Sequence, residues 1–421
     1  MTSSTSSSKD RINKTDPDDR VRFHARRVMA IKIIAFGGGA LLAAMLLVNV
    51  FVTTLRAQFP NPFSVQRIQT SADALSSALE LPATDQRNVV YVLGSSLIEF
   101  GFSPEIFDQR LQEQGVETVS YNFGYGNADP SIHQRFAARL AKTFSENSDV
   151  IDLVIFEFSP FQATRRRAEL TGQLDHAARA AMGTWRDFLD VAKDDHEEAI
   201  ALMNTRYLRG GVPAEAITNL ISIPIRNAGR LDAKIDEGDV EPLDALAWQL
   251  YDSLLAQWPQ AHPPGGWFVE NRGGFPPTAS DEALALSEKV MRRMQHPDRM
   301  EASRQQRLAC CDMEDLNIDP QMLDKFIDAI KQAQKVSRRV DLLLMPRNQD
   351  IIHLSAEGKK NLREAVEKIQ NETGVALIDF TETPYYHVDQ FFDADHLSLF
   401  KGRERFSKQL ADYYAQNGLP E

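Results

Sequence analysis

The chain has 421 residues, enough for one large domain with insertions or for two domains. Its hydrophobic (43%) and charged (25%) fractions are those of a globular protein, and a net charge of −12 argues against nucleic acid as a partner. The charge is uneven: residues 1–56 hold nine Lys/Arg against four Asp, about +5, which leaves about −17 on the remainder.

Residues 1–19 are rich in Ser, Thr, Asp and Lys without apolar periodicity, and the tail 1–27 reads as disordered. Residues 33–52 carry no charge, so a transmembrane helix is expected over 28–55. The run is longer than a signal-peptide apolar core, and no small-x-small cleavage site follows it. Arg20, Arg22, Arg26, Arg27 and Lys32 precede the span, while Arg56 is the only basic residue just after it. The positive-inside rule places the tail in the cytoplasm and the rest outside, in the periplasm if the source is a Gram-negative bacterium. The expected location is thus the inner membrane, crossed once. Glycines 37–39 would let another membrane helix approach closely.

A linker over 56–85 follows, Pro-punctuated at 58–65 and with a short helix at 71–81. Strands are expected at 89–93, 117–122 and 152–158. Ser103-Pro104-Glu105 opens a helix that Gly115 stops, and Asp129-Pro130 opens the next. From about 163 to 318 the strand signals fade. Helical stretches at 187–204 and 244–258, with a long loop at 262–277, read as a helical insertion or cap. Helix 320–337, strand 340–345, helix 355–373, strand 375–379 and helix 399–415 then restore the alternation. The fold class is α/β, a flavodoxin-like parallel sheet in an ectodomain of residues 86–421.

Chemistry concentrates at two strand ends. Gly94-Ser95-Ser96 follows the first strand, where open α/β sheets place their sites, although such a sequence also suits a turn with a helix cap. Some 300 residues later, Asp393 stands three residues before His396. A serine hydroxyl needs a base within hydrogen-bond reach, and His396 with an orienting carboxylate supplies one. Asp395 competes with Asp393 for that role. Cys310 and Cys311 are adjacent, match no metal spacing and read as packed or idle thiols. His133, His353 and His387 read as surface or core residues, and residues 165–167 as a solvated helix end.

These motifs resemble the SGNH (GDSL-like) hydrolase superfamily over roughly residues 86–162 and 338–415. The resemblance puts Ser96 on the nucleophile, His396 on the general base and Asp393 on its carboxylate, with no metal and no cofactor. The oxyanion amides would come from Ser96 itself and from Gly126, or Gly124. The Gly-x-Asn-Asp block is absent; Phe158-Ser159-Pro160-Phe161-Gln162 stands there, with Gln162 as a side-chain donor. Gly-Ser-Ser, this Ser-Pro and the Pro-x-Asn that includes Arg347 and Asn348 look like the membrane-anchored D-alanine transfer proteins of teichoic acid synthesis. Arg347 and Asn348 would then touch substrate or simply form a loop. Asn271 and Arg272, in the loop 267–275, would cover the site or hold an acceptor sugar, or form a structural turn.

The resemblance implies an extracytoplasmic O-acyltransferase that passes an acyl group, acetyl by expectation, to a surface glycan. Its partner would be a multipass membrane O-acyltransferase that delivers the acyl group. An esterase on the same substrates, and a non-catalytic glycan-binding or scaffold protein, are the alternatives; fold analogy alone does not choose among them.

Overall fold

The structure, a computed structural model, describes residues 17–58, 68, 71–72, 74–82, 84–146, 150–169, 176, 178–180, 182–183, 185–208, 250, 272 and 280–420. The first element is a 42-residue helix, α1, Pro17–Gln58. Its window Arg26–Val48 has a mean hydropathy of 2.2, long and apolar enough to cross a bilayer. Residues 17–27, expected as disordered tail, are helical: once a long span has met the nucleation cost, adding turns is cheap. At its other end the helix runs three residues into the expected linker, to Gln58.

In chain order, β1 (Asn88–Gly94) leads to α2 (Ser96–Gly101) and α3 (Pro104–Gln112), then to β2 (Thr118–Gly124), α4 (Pro130–Thr143) and β3 (Ile151–Glu157). The insertion carries α5 (Trp185–Asp194), α6 (His196–Met203), α7 (Asp281–Met294) and α8 (Pro297–Cys311). The alternation resumes with α9 (Pro320–Ala333), β4 (Ser337–Leu344), α10 (Ala356–Thr373) and β5 (Ala376–Asp379), and α11 (Lys401–Asn417) follows. The sheet is wholly parallel, in the order β2-β1-β3-β4-β5, which is the doubly wound order 2-1-3-4-5.

Both faces of this sheet are covered, so β1, β2 and β3 are buried along nearly their whole length. Alternation along β1 sends Tyr91 and Leu93 into one core, with Phe136 of α4 and Phe326 of α9. Val90 and Val92 enter the other, with Phe107 of α3 and Phe406 and Tyr414 of α11. Each such buried side chain contributes about 1.5–3 kcal/mol. Helix starts follow their caps: Asp129 accepts from Ser131 and Ile132 N–H, Asp319 from Gln321 and Met322, and Ser355 from Gly358.

The strands differ from expectation by at most three residues at their ends. The largest shift is in β4, which starts at Ser337 where Val340 was expected. Ser337, Arg338 and Arg339 pair with β3 but lie half-buried or exposed, so apolar periodicity does not reveal them. The helix expected over 187–204 is two helices, because Asp195 caps α6 through Glu198 N–H and interrupts the first. The expected helix at 244–258 and loop at 262–277 lie outside the described residues, apart from Leu250 and Arg272. The insertion is pinched at its base by an antiparallel bridge between Thr164 and Ile318. Cys310 and Cys311 are joined in a vicinal disulfide at the end of α8 and are not free thiols. Spacing rules out only their linking distant segments.

Candidate active site

The chain turns sharply as it leaves β1. Ser95 caps α2, its Oγ accepting from Leu97 N–H at 3.2 Å, and so leaves the next hydroxyl, Ser96, to project. The turn is held across the sheet by Glu157 at the end of β3, whose carboxyl accepts the Ser95 N–H at 2.5 Å. Gly94 is required here because a side chain would collide with Ile98 and Glu157. Gly124 is required likewise, against Ile98 and the Glu99 backbone. Asn122 fastens β2 to the same turn, donating from Nδ2 to the carbonyls of Ile98 and Phe102.

The second half of the site is the loop after α10 and β5. Phe391 and Leu397 bridge across it, and Asp393 Oδ1 accepts from the N–H groups of Asp395 and His396. This local turn aims both side chains inward. His396 Nε2 lies 2.7 Å from Ser96 Oγ. Its Nδ1 lies 3.0 and 2.9 Å from the two oxygens of Asp393. Asp395 Oδ1 is farther from Nδ1, at 3.3 Å. Phe100 packs edge-on against the imidazole, with ring centroids 5.4 Å apart. Ser96, Asp393 and His396 are each no more than 9% exposed.

The insertion braces this loop. Ser303 of α8 accepts the Ala394 N–H at 3.3 Å. One turn on, Arg307 Nε lies 2.9 Å from Asp395 Oδ1 and an Arg307 Nη lies 3.4 Å from Asp393 Oδ2. Asp393, Asp395 and His396 have the donor spacing of a metal site, but the cation that faces them is this guanidinium. Burial disfavours the imidazolium, yet Asp393 and Asp395 outweigh it and raise His396 to about 9; Arg307 acts to lower it. Burial works to raise Asp393 also, but His396 and Arg307 hold it well below the ordinary carboxylate range. Asp395 is raised, chiefly by burial.

The remaining expected residues fall on neighbouring loops. The Ser96 and Gly126 N–H groups meet no acceptor among the described residues, whereas the Gly124 N–H is taken by Asn122 Oδ1 at 2.9 Å. Gln162 is 4% exposed, and its Oε1 accepts from Arg167 Nε at 2.7 Å, leaving its amide nitrogen unbonded among the described residues. Arg167 also donates to Asn127 Oδ1 at 2.9 Å, so it ties the β2 and β3 loops together. Of the basic run expected in solvent, Arg165 and Arg166 are exposed but Arg167 is half-buried.

Arg347 lines an apolar cavity of about 60 Å³ with Leu97, Phe161, Met345 and Asp395. Asn348 is fully buried and its side chain bonds to nothing among the described residues. Arg272 is paired with Asp108 and Glu105 of α3, and its carbonyl accepts the Asn122 N–H at 2.6 Å; Asn271 lies outside the described residues. His133 is buried against Phe156 and Phe326 and pushed by burial to about 3, while His353 and His387 are exposed.

Sequence reasoning missed Arg307, Arg167 and Glu157. Only Glu157 carried a signal, a carboxylate that closes the apolar run Leu153–Phe156. No family model matches the chain, and no curated protein is significantly similar to it in sequence.

Proposed function

We propose that the protein is an SGNH-like serine O-acyltransferase, anchored in a bacterial cytoplasmic membrane by α1 with its sheet domain outside. The observation that carries this reading is the continuous relay Ser96–His396–Asp393 at the carboxyl edge of a doubly wound parallel sheet. Ser96 Oγ attacks the donor's acyl carbon while its proton passes to His396 Nε2. The oxyanion draws on the Ser96 and Gly126 N–H groups and the Gln162 amide, each worth about 3 kcal/mol when aligned. The tetrahedral species then expels the donor's leaving group, which takes the proton from His396. A glycan hydroxyl attacks the acyl-serine by the same steps in reverse roles.

The donor would be a multipass membrane O-acyltransferase. The apolar cavity beside Leu97 suits a short acyl group such as acetyl. The test is Ser96→Ala and His396→Ala, assayed on p-nitrophenyl acetate and on surface-glycan acylation in cells. Both should lose ester turnover by several orders of magnitude and lower the acylation. More acylation in the variants would mean an esterase, and no change in either assay would favour a binding module.

A further inference from the structure

Helices α5 and α6 pack on each other through a small interior, Phe188 and Leu202 against Ala180. Their outer surfaces carry unusual side chains for a water-facing hairpin. Trp185 and Leu189, one turn apart on α5, are 57% and 52% exposed. Ile200, Met203 and Tyr207 follow helical spacing along α6 and the π-helical turn Asn204–Leu208, and are 59%, 44% and 42% exposed. Outside α1, these are the five most exposed large hydrophobic side chains among the described residues.

The hairpin has a defined neighbour. Its π-helical turn packs against α1. Among the described side chains of α1, only Met45 is half-buried, and it lies near the C-terminal end of the apolar window Arg26–Val48. The hairpin therefore packs against the outer half of the charge-free run of α1, toward the end at which the helix leaves the hydrocarbon core. Trp and Tyr favour that depth, their rings at headgroup level and their apolar bodies inward. Arg186, stacked over the Trp185 ring at 5.5 Å, suits a phosphate headgroup, whereas Lys193 is paired with Asp190 at 2.6 Å.

We propose that the α5–α6 hairpin is a second, monotopic membrane contact, with Trp185, Leu189, Ile200, Met203 and Tyr207 immersed in the outer face of the bilayer that α1 crosses. The proposal rests on the reading of α1 as a membrane anchor. Attachment at two points would stop the domain swinging about its tether and hold the Ser96 site at a set orientation to the membrane, where an acyl donor embedded in lipid can reach it.

The test uses the full chain in lipid nanodiscs with acyl-chain-brominated phosphatidylcholine and phosphatidylglycerol. Trp248, Trp258 and Trp267 are replaced by Phe, which leaves Trp185 as the sole tryptophan. Bromolipid should remove most of the Trp185 emission, and aqueous acrylamide should quench it little. A companion variant without Trp185 carries Leu41→Trp in α1 as its sole tryptophan. Quenching of the companion variant by bromolipid, with Trp185 open to acrylamide in the first, would overturn the hairpin proposal and leave the anchor standing. If neither variant is quenched by bromolipid, the anchor reading fails and takes the proposal with it. Shielding of Trp185 from both quenchers would mean that a protein surface covers the hairpin, and would also overturn the proposal. Should the Phe replacements fail to fold, a nitroxide on Ile200→Cys reads the same depth through its collisions with oxygen and with a water-soluble nickel chelate.

Discussion

His396 faces two carboxylates where a simple triad has one. The pair raises its pKa to about 9, against the burial that works the other way. A base must be unprotonated to accept the Ser96 proton, so turnover of a neutral ester should climb as pH rises through about 9. Arg307 offsets part of the carboxylate charge through its contacts with Asp395 and Asp393. Arg307→Gln should therefore move the rising limb to higher pH, with more activity recovered in alkali than at neutrality. A steady-state pH profile of kcat/KM checks both expectations, and an unshifted limb in the variant would show that Arg307 serves the loop only as packing. The histidine and its two carboxylates were legible from the Asp-x-x-His spacing. Arg307 was not, because nothing in an arginine on a polar helix says that a chain returning from a long insertion will set it on that loop.

At the scale of elements, the site depends on how tightly β1, β2 and β3 meet at their carboxyl ends. Glu157 is buried there and raised by that burial to about 7. An acid raised in the folded state contributes stability below its unfolded pKa, near 4.5, and loses it as pH rises through about 7. The loss amounts to roughly 3 kcal/mol at about 1.4 kcal/mol per pH unit. Glu157→Gln keeps an acceptor for the Ser95 N–H and removes the titration, so it should gain in relative melting temperature between pH 5 and pH 8. Gly124→Ala should act oppositely at every pH, destabilising by about 1–3 kcal/mol as the added methyl drives α2 off β2. Thermal unfolding across pH measures both. Strands β1 and β3 were legible because each holds an apolar run closed by glycine or a polar residue. Where β4 begins in Ser337, Arg338 and Arg339, only pairing with β3 reveals the strand.

Across the whole molecule, the chain joins a membrane-length helix to an α/β domain through a stretch whose sequence is Pro-punctuated. In spheroplasts of a Gram-negative host, added protease should digest the sheet domain and spare residues 1–27; the reverse pattern would overturn the orientation inferred from the basic flank. The parallel sheet and the membrane-length helix were readable from periodicity and length. The insertion was readable only as helical, because its register on the rest of the fold depends on pairings such as Thr164 with Ile318 that no local pattern announces. The central claim is that Ser96 carries the acyl group between donor and acceptor. Intact-protein mass spectrometry after rapid mixing with p-nitrophenyl acetate, followed by peptide mapping, tests it most directly. The account predicts the mass of one added acetyl group on the peptide that contains Ser96, and none in Ser96→Ala. An unmodified wild-type chain that still turns the ester over, or an acetyl group elsewhere that survives Ser96→Ala, would contradict it.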